Sequence, residues 1–310
     1  MSAEKKIFRP DIIGIGNCAV DLLGIFPRYP GLDERIQALR LEMQGGGEAA
    51  TAMVTASRLG AKTSFIGKIG DDYFGQFAVQ QLRKEGVDTS RMIVEKNRFS
   101  LLSFIAVERF SGKRTIFWYR GVSLLKKSEL DKKFILSCCL LHLDHRHLEA
   151  NLAAASWAKK AGIPVTLDLD RWNEKLKWLL RQVTVVCGSQ SLAAAISGSR
   201  KKALRELKKL GPEVVILTFG EEGCLVKSEE EEFHQVAFRV PVVDTTGAGD
   251  VFRGALSFAW WKKWPLQQAV RFAAAVAALK CTRLGGRSGI PTFQQTMAFL
   301  RRQKRQANER

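Results

Sequence analysis

Short runs of consecutive apolar residues alternate with helical periodicity along most of the chain. Residues 11–16, 63–69, 135–144, 163–168, 183–187 and 214–218 are apolar on successive positions, the pattern of strands covered on both faces. Residues 49–59 form an alanine-rich helical stretch that stops at Gly60. Asp71 and Asp72 can cap a helix running to Lys84, with Gly86 beyond its end. This alternation, sustained over roughly 250 residues, predicts an α/β fold with a doubly wound, mainly parallel sheet.

Two stretches break the rhythm. Residues 22–44 contain Pro27, Pro30 and Gly31 before a mixed polar and apolar run, and residues 99–121 read as a hairpin turning at Ser111 and Gly112. Both are extended and outside the alternation, so they are expected to pair as a small accessory sheet. No linker or repeat divides the chain, and a single domain over residues 1–310 is expected. The acidic run 229–232 reads as a hairpin turn, and residues 301–310 as a frayed basic helix.

Composition narrows the partners. Apolar residues make up 46% of the 310 and charged residues 26%, enough for a sizeable core, which excludes global disorder. Lys and Arg number 49 against 31 Asp and Glu, a net charge of +18 that suits an anionic ligand. Aromatic residues do not interleave with a basic stripe, so nucleic acid is not expected. No apolar run reaches the ~18–20 residues of a membrane span. The start MSAEKKIFRPD lacks a signal peptide's apolar stretch. The six cysteines show neither C-x-x-C nor zinc-finger spacing and read as buried free thiols, which points to a cytoplasmic protein.

The most informative motif is Asp244-Thr245-Thr246-Gly247-Ala248-Gly249-Asp250, where an extended apolar stretch enters a small-residue turn and then an amphipathic helix. Bare N–H groups of Gly247, Ala248 and Gly249 at that helix start are a seat for a phosphate. Asp250 can cap the helix, or it can take a proton from an attacking hydroxyl while the aligned donors hold the phosphate. No G-x-x-x-x-G-K-[ST] is present, which excludes a P-loop enzyme. Gly14-Ile15-Gly16-Asn17-Cys18-Ala19 fits a dinucleotide fingerprint, but Gly24, Pro27 and Pro30 would break the helix that such a site needs.

Gly46-Gly47 leading into an alanine-rich helix that ends Arg58-Leu59-Gly60, then Phe65-Ile66-Gly67-Lys68-Ile69-Gly70-Asp71-Asp72-x-x-Gly75, resembles the first signature of the ribokinase/PfkB carbohydrate kinase family. The 244–250 motif is similar to its second, and residues 270–291 resemble most the branch containing sulfofructose kinase. The resemblance spans residues 10 to 300. It implies ATP and Mg²⁺, with Asp250 as base and Gly247, Ala248 and Gly249 as anion hole. Asp21, Gly46, Gly47 and Thr51 would meet the sugar. Ser189, Thr218, Gly220, Gly223, Ala274 and Ala278 would meet the nucleotide. Residues 22–44 and 99–121 would form a lid that can pair two subunits. Asp244 with carbonyls of Thr246, Lys280, Arg283, Gly285 and Gly289 would hold a monovalent cation, K⁺.

Two departures from the family pattern matter. Thr51 stands at the sugar-binding Asn position, with Glu48 before it, so the substrate is not expected to be ribose bound in the usual way. The N-x-x-E motif falls on Ser189-Gln190-Ser191-Leu192, leaving Mg²⁺ to ATP, water, or acids such as Asp168 and Asp170. In His142-Leu143-Asp144-His145-Arg146-His147, at a strand's carboxyl end, Asp144, Arg146 and His147 are placed to touch substrate. Arg146 and Arg35 are candidates for an anionic group on the sugar, and Trp118 for the sugar face. The expected activity is ATP-dependent phosphorylation of a sugar or acidic sugar hydroxyl. The alternatives are a nucleoside kinase of the same fold and a sugar-binding regulator without turnover.

Overall fold

A computed structural model describes residues 9–308, with side chains to residue 305. Residues 1–8, which hold most of the amino-terminal segment read above, and the last two residues of the basic carboxyl end lie outside that description.

Among the described residues, an eight-stranded sheet takes the order Glu232–Gln235, Cys224–Lys227, Val214–Thr218, Val185–Ser189, Val165–Leu169, Leu140–Asp144, Ile12–Ile15, Thr63–Ile66. The last six are parallel, and the first two form an antiparallel edge hairpin. Its turn is the acidic run, held where Glu230 and Glu231 amides donate to Ser228 Oγ. Successive side chains point to opposite faces, so each parallel strand feeds two cores. Ile12 and Phe65 face the helices Glu48–Arg58, Ala248–Trp261 and Leu266–Lys280. Ile13, Ile15, Leu141 and Leu143 face the helices Leu148–Lys160 and Arg200–Lys209. That double burial explains the unbroken apolar runs.

Two predicted strands are shorter than expected. The 63–69 run divides at Gly67: Thr63–Ile66 stays in the main sheet, while Lys68–Gly70 pairs with Ile93–Glu95. In the 135–144 run, Ile135 instead ends a short helix, Lys132–Ile135, because Asp131 accepts from the Phe134 amide and caps it. Only Leu140–Asp144 is strand, and Cys139, expected to be buried, is exposed. All six cysteines are free. Asp72 caps the Tyr73–Lys84 helix through the Gly75 amide, as its sequence suggests.

The irregular stretches pair. Arg40–Gly46, Ala19–Phe26, Leu101–Glu108 and Arg114–Tyr119 form a four-stranded accessory sheet in that order. Its hairpin turns where Gly112 takes φ +63°. After Gly16 the chain thus enters a strand, and the dinucleotide fingerprint has no helix to serve it.

Helices Glu48–Arg58 and Ala248–Trp261 pack at backbone distance. A methyl group on Gly254 would lie 2.4 Å from the Ala52 carbonyl oxygen and 2.8 Å from its Cα. Small residues at this crossing bring the two helix starts to one crevice beside the carboxyl ends of the parallel strands.

Candidate active site

A cleft of about 480 Å³ lies between the sheets, lined by both helix starts, the strand ends and accessory strands. The two N-cap residues are glycines with positive φ, Gly47 at +94° and Gly247 at +71°. A side chain at Gly47 would strike the Asn17 carbonyl at 2.3 Å, and one at Gly247 would meet the Gly286 carbonyl at 3.0 Å.

The 244–250 turn forms the cleft floor. Amides of Gly247, Gly249 and Asp250 have no protein acceptor among the described residues, whereas the Ala248 amide, expected to be bare, donates to the Thr245 carbonyl at 3.1 Å. The bare amides at the start of a fourteen-residue helix fit a phosphate. Asp250 lines the same cleft with its side chain about one-fifth exposed. Burial pushes its pKa up to about 8, opposed by Arg253 and reinforced by Glu48, Asp170 and Asp21.

Arg253, one turn further along the helix, was not singled out from the sequence. Its guanidinium is buried, with Nη2 2.6 Å from Asp170 Oδ1, Nε 3.1 Å from Asp168 Oδ1 and Nη1 3.5 Å from Asp250 Oδ1. The Asp168 contact is one of charges, without an aligned hydrogen bond. The signal available in the sequence was an arginine on the apolar face of this helix, three residues after Asp250. Asp168 and Asp170, the acids considered for Mg²⁺ beside ATP and water, are therefore committed to a guanidinium. A cage for Mg²⁺ on these two carboxylates does not fit.

At the other end of the cleft Asp21 and Ser103 line the wall, and Arg287 acts on Asp21 through its charge without an ion pair. Burial raises its pKa to about 6 against the pull of Arg287. Gly46 lies beneath it, where a methyl group would come 2.3 Å from Asp21 Oδ2. Thr51 does not line the cleft: it is buried and accepts from Arg287 Nε at 3.1 Å, while Arg287 Nη2 donates to the Gly46 carbonyl at 2.8 Å. Arg287 thus braces the floor from below.

Arg146 lines the cleft and donates to Glu48 Oε1 through Nε at 2.9 Å and Nη2 at 2.7 Å. Burial alone would raise the Glu48 pKa, but Arg146 brings it below the usual carboxylate range. Asn17 bridges Glu48 to Arg120, which donates to Asn17 Oδ1 at 2.8 Å. Asp144 and His147 are support instead of lining. Asp144 accepts the Asn17 and Arg146 amides, and His147 Nδ1 accepts the Leu125 amide. Arg35 lies exposed in the loop before Arg40–Gly46 and is not brought to the cleft. Trp118 does reach it, as do Arg114, Arg120 and Arg171. These three arginines have no carboxylate partner among the described residues. Arg114, on an accessory strand, instead donates to Thr245 Oγ1 at 3.3 Å.

Ser189 and Thr218 sit at neighbouring strand ends and line the cleft. Gly220 and Gly223 flank a single 3₁₀ turn just beyond, with φ +60° and +90°. Ala274 and Ala278 lie half-buried, one turn apart on the Leu266–Lys280 helix. None of these last four lines the cleft itself.

The expected cation ligands are occupied from within. Asp244 Oδ1 accepts the Thr246 amide at 2.8 Å and Oδ2 the Gly285 amide at 2.7 Å. The Lys280 ammonium, wholly buried, donates to the Asp244 carbonyl at 2.9 Å and stands 3.9 Å from Oδ2. Two monovalent cations 4 Å apart repel by about 4 kcal/mol at an effective dielectric of 20. The ammonium therefore leaves no favourable place for K⁺ on Asp244.

The mainly parallel sheet, the crevice at its strand ends and the accessory strands above it define a ribokinase-like fold. A ribokinase of Thermotoga maritima superposes with a TM-score of 0.81 at 25% identity, over 94% of this chain and 99% of that one. An Arabidopsis thaliana ribokinase complexed with ribose and ATP has the same fold, with a TM-score of 0.84 at 23% identity over 94% and 99%. Residues 10–293 match the pfkB family carbohydrate kinases, and the chain belongs to that family. A ribokinase of Haemophilus influenzae is 28% identical across 94% of this chain and 99% of its own length. The sulfofructose kinase branch is not singled out by these likenesses. Among the described residues no helix is long and apolar enough to cross a membrane.

Proposed function

We propose that this carbohydrate kinase transfers the γ-phosphoryl group of ATP to a hydroxyl of a small sugar that carries an acidic group. The observation that carries the reading is Asp250 in the first turn of a helix whose neighbouring amides are bare, facing a cleft lined by arginines without carboxylate partners. Asp21 orients the acceptor by its hydroxyls. The acceptor O–H gives its proton to the Asp250 carboxylate as its oxygen bonds to the γ-phosphorus. The bond from phosphorus to the bridging oxygen breaks, and the electron pair leaves with ADP. Amides of Gly247 and Gly249 hold the negative charge on the transferred group. Mg²⁺ would be carried by the nucleotide's phosphates and would offset their charge, since Asp168 and Asp170 are paired with Arg253.

Arg120 and Arg171, neither paired with a carboxylate among the described residues, favour an acidic acceptor such as a sugar acid or a sulfonated sugar, because a planar guanidinium binds carboxylate and sulfonate oxygens in pairs, whereas Arg146 is already taken by Glu48. Ser189, Thr218, Gly220 and Gly223 frame the nucleotide, and Ala274 and Ala278 offer a flat apolar seat for its base. The accessory sheet serves as a lid. Its outer strand turns Ile116 and Trp118 to the cleft and leaves Phe117 and Tyr119 exposed on the opposite face, a surface suited to pairing with a second copy.

A panel of neutral sugars, sugar acids, sulfosugars, sugar phosphates and nucleosides, read by ATP consumption, tests the assignment. Turnover of acidic sugars above their neutral counterparts supports it. Turnover of nucleosides alone would replace it with a nucleoside kinase, and sugar binding without ATP consumption with a regulatory role.

A further inference from the structure

We infer that the Lys280 ammonium is a built-in monovalent cation that holds the phosphoryl-binding turn in place and makes the protein independent of K⁺. This rests on the reading of residues 244–250 as that turn.

A lysine with no solvent exposure is costly unless its charge does something there. This one ends at Asp244, the first residue of the turn, with its ammonium on the carbonyl and near the carboxylate. The carboxylate also ties two segments together, since its oxygens take amides from Thr246 in the turn and Gly285 in the following loop. That loop backs directly onto the anion seat, because Gly247 lies against the Cα and carbonyl of Gly286. Gly289 closes the loop over the Lys280 carbonyl, where a methyl group would lie 2.3 Å from the oxygen. One positive charge therefore fixes the turn, the loop and the end of the Leu266–Lys280 helix. Burial lowers the Lys280 pKa and Asp244 offsets part of that, while the ammonium in turn helps hold the Asp244 carboxyl below its ordinary range. A free cation would have to displace the ammonium from Asp244.

The test compares KCl with tetramethylammonium chloride at equal ionic strength on the full chain. Thermal unfolding is one readout, and ATP turnover with D-fructose, D-ribose and gluconate as acceptors is the other. The wild-type midpoint is expected to shift by less than 1 °C and turnover by less than twofold. Activation above tenfold by K⁺, or a K⁺-specific rise in the midpoint, would overturn the inference. Lys280→Met is expected to lose at least tenfold in turnover without K⁺, and to regain part of it, with a higher midpoint, in KCl or NH₄Cl. Unchanged turnover in that variant, or no rescue by either cation, would also overturn it. Should Lys280→Met fail to fold, the wild-type comparison still decides. Absence of turnover with these three acceptors, with melting indifferent to K⁺, would uphold the cation assignment through the melting comparison and count against the substrate reading, which the wider acceptor panel decides separately.

Discussion

Arg253 Nη1 stands 3.5 Å from Asp250 Oδ1, with the two residues three apart on one helix. The same guanidinium holds Asp170 and Asp168, so the proposed base shares its cation with two other acids. Burial is the main reason Asp250 stays receptive to a proton, with Glu48, Asp170 and Asp21 adding to it and Arg253 opposing it.

Asp250→Asn removes that acceptor while leaving the helix start intact. Turnover is expected to fall by about 10²- to 10⁴-fold, with ATP affinity changed little. Rapid-quench assays beside calorimetric nucleotide binding separate the two. Wild-type turnover in this variant would exclude Asp250 as the base.

The Asp250 carboxyl, pushed up to about 8, sets the pH response. Only the ionised form accepts a proton, so kcat/KM should rise with pH and level off above about 8, falling tenfold per unit on the acid side. Arg253 favours the ionised form. Arg253→Gln should therefore move the limb to higher pH, and Arg253→Lys should restore part of the shift. A limb that stays in place in both variants would show that Arg253 does not govern the base.

The same Arg253→Gln change leaves Asp168 buried, and Asp170 half-buried at the cleft, without their cation. Loss of one partner of a buried ion pair costs about 3–5 kcal/mol. Denaturant unfolding should show a drop of that order, and Asp168→Asn added to it should recover a part, because one unpaired charge is gone.

Arg114 reaches from the accessory sheet to Thr245 at the edge of the anion seat. If the sheet closes on the nucleotide, Arg114→Met should raise the KM for ATP by about tenfold, the worth of one charged hydrogen bond. The KM for the acceptor should move little. Equal effects on both substrates would argue for a general loosening of the lid.

Gly254 tests the helix crossing. Gly254→Val forces a side chain into the Ala52 backbone, and overpacking of this kind costs about 1–3 kcal/mol. Because Asp250 lies one turn away on that helix, turnover should fall with stability. An active variant as stable as wild type would mean that the crossing is looser than the 2.4 Å approach indicates.

Fold class was legible because strands buried on both faces cannot alternate polar and apolar residues, as in residues 12–15 and 214–218. Boundaries were less legible where one capping side chain overrides a hydrophobic run, as Asp131 does before Leu140–Asp144. A small-residue turn entering a helix at 244–250 was legible from the motif, although the Ala248 amide, read as bare, is taken by the Thr245 carbonyl. The roles of Arg253 and Arg287 were not legible, because their contacts to Asp170 and Thr51 cross more than 80 residues of sequence. Thr51 was misplaced for the same reason: its hydroxyl is taken by Arg287, whose arrival no nearby residue announces. Lys280 was placed through its carbonyl, whereas its side chain is what reaches Asp244.

Arg287 meets Thr51 and Gly46 across 236 and 241 residues of sequence. During synthesis, then, the pocket's underside stays unfinished until almost the whole polypeptide has left the ribosome. A nascent chain halted before that arginine would carry Asp21 without the positive charge that pulls its pKa down, so the proposed acceptor end of the pocket is completed among the last steps of maturation.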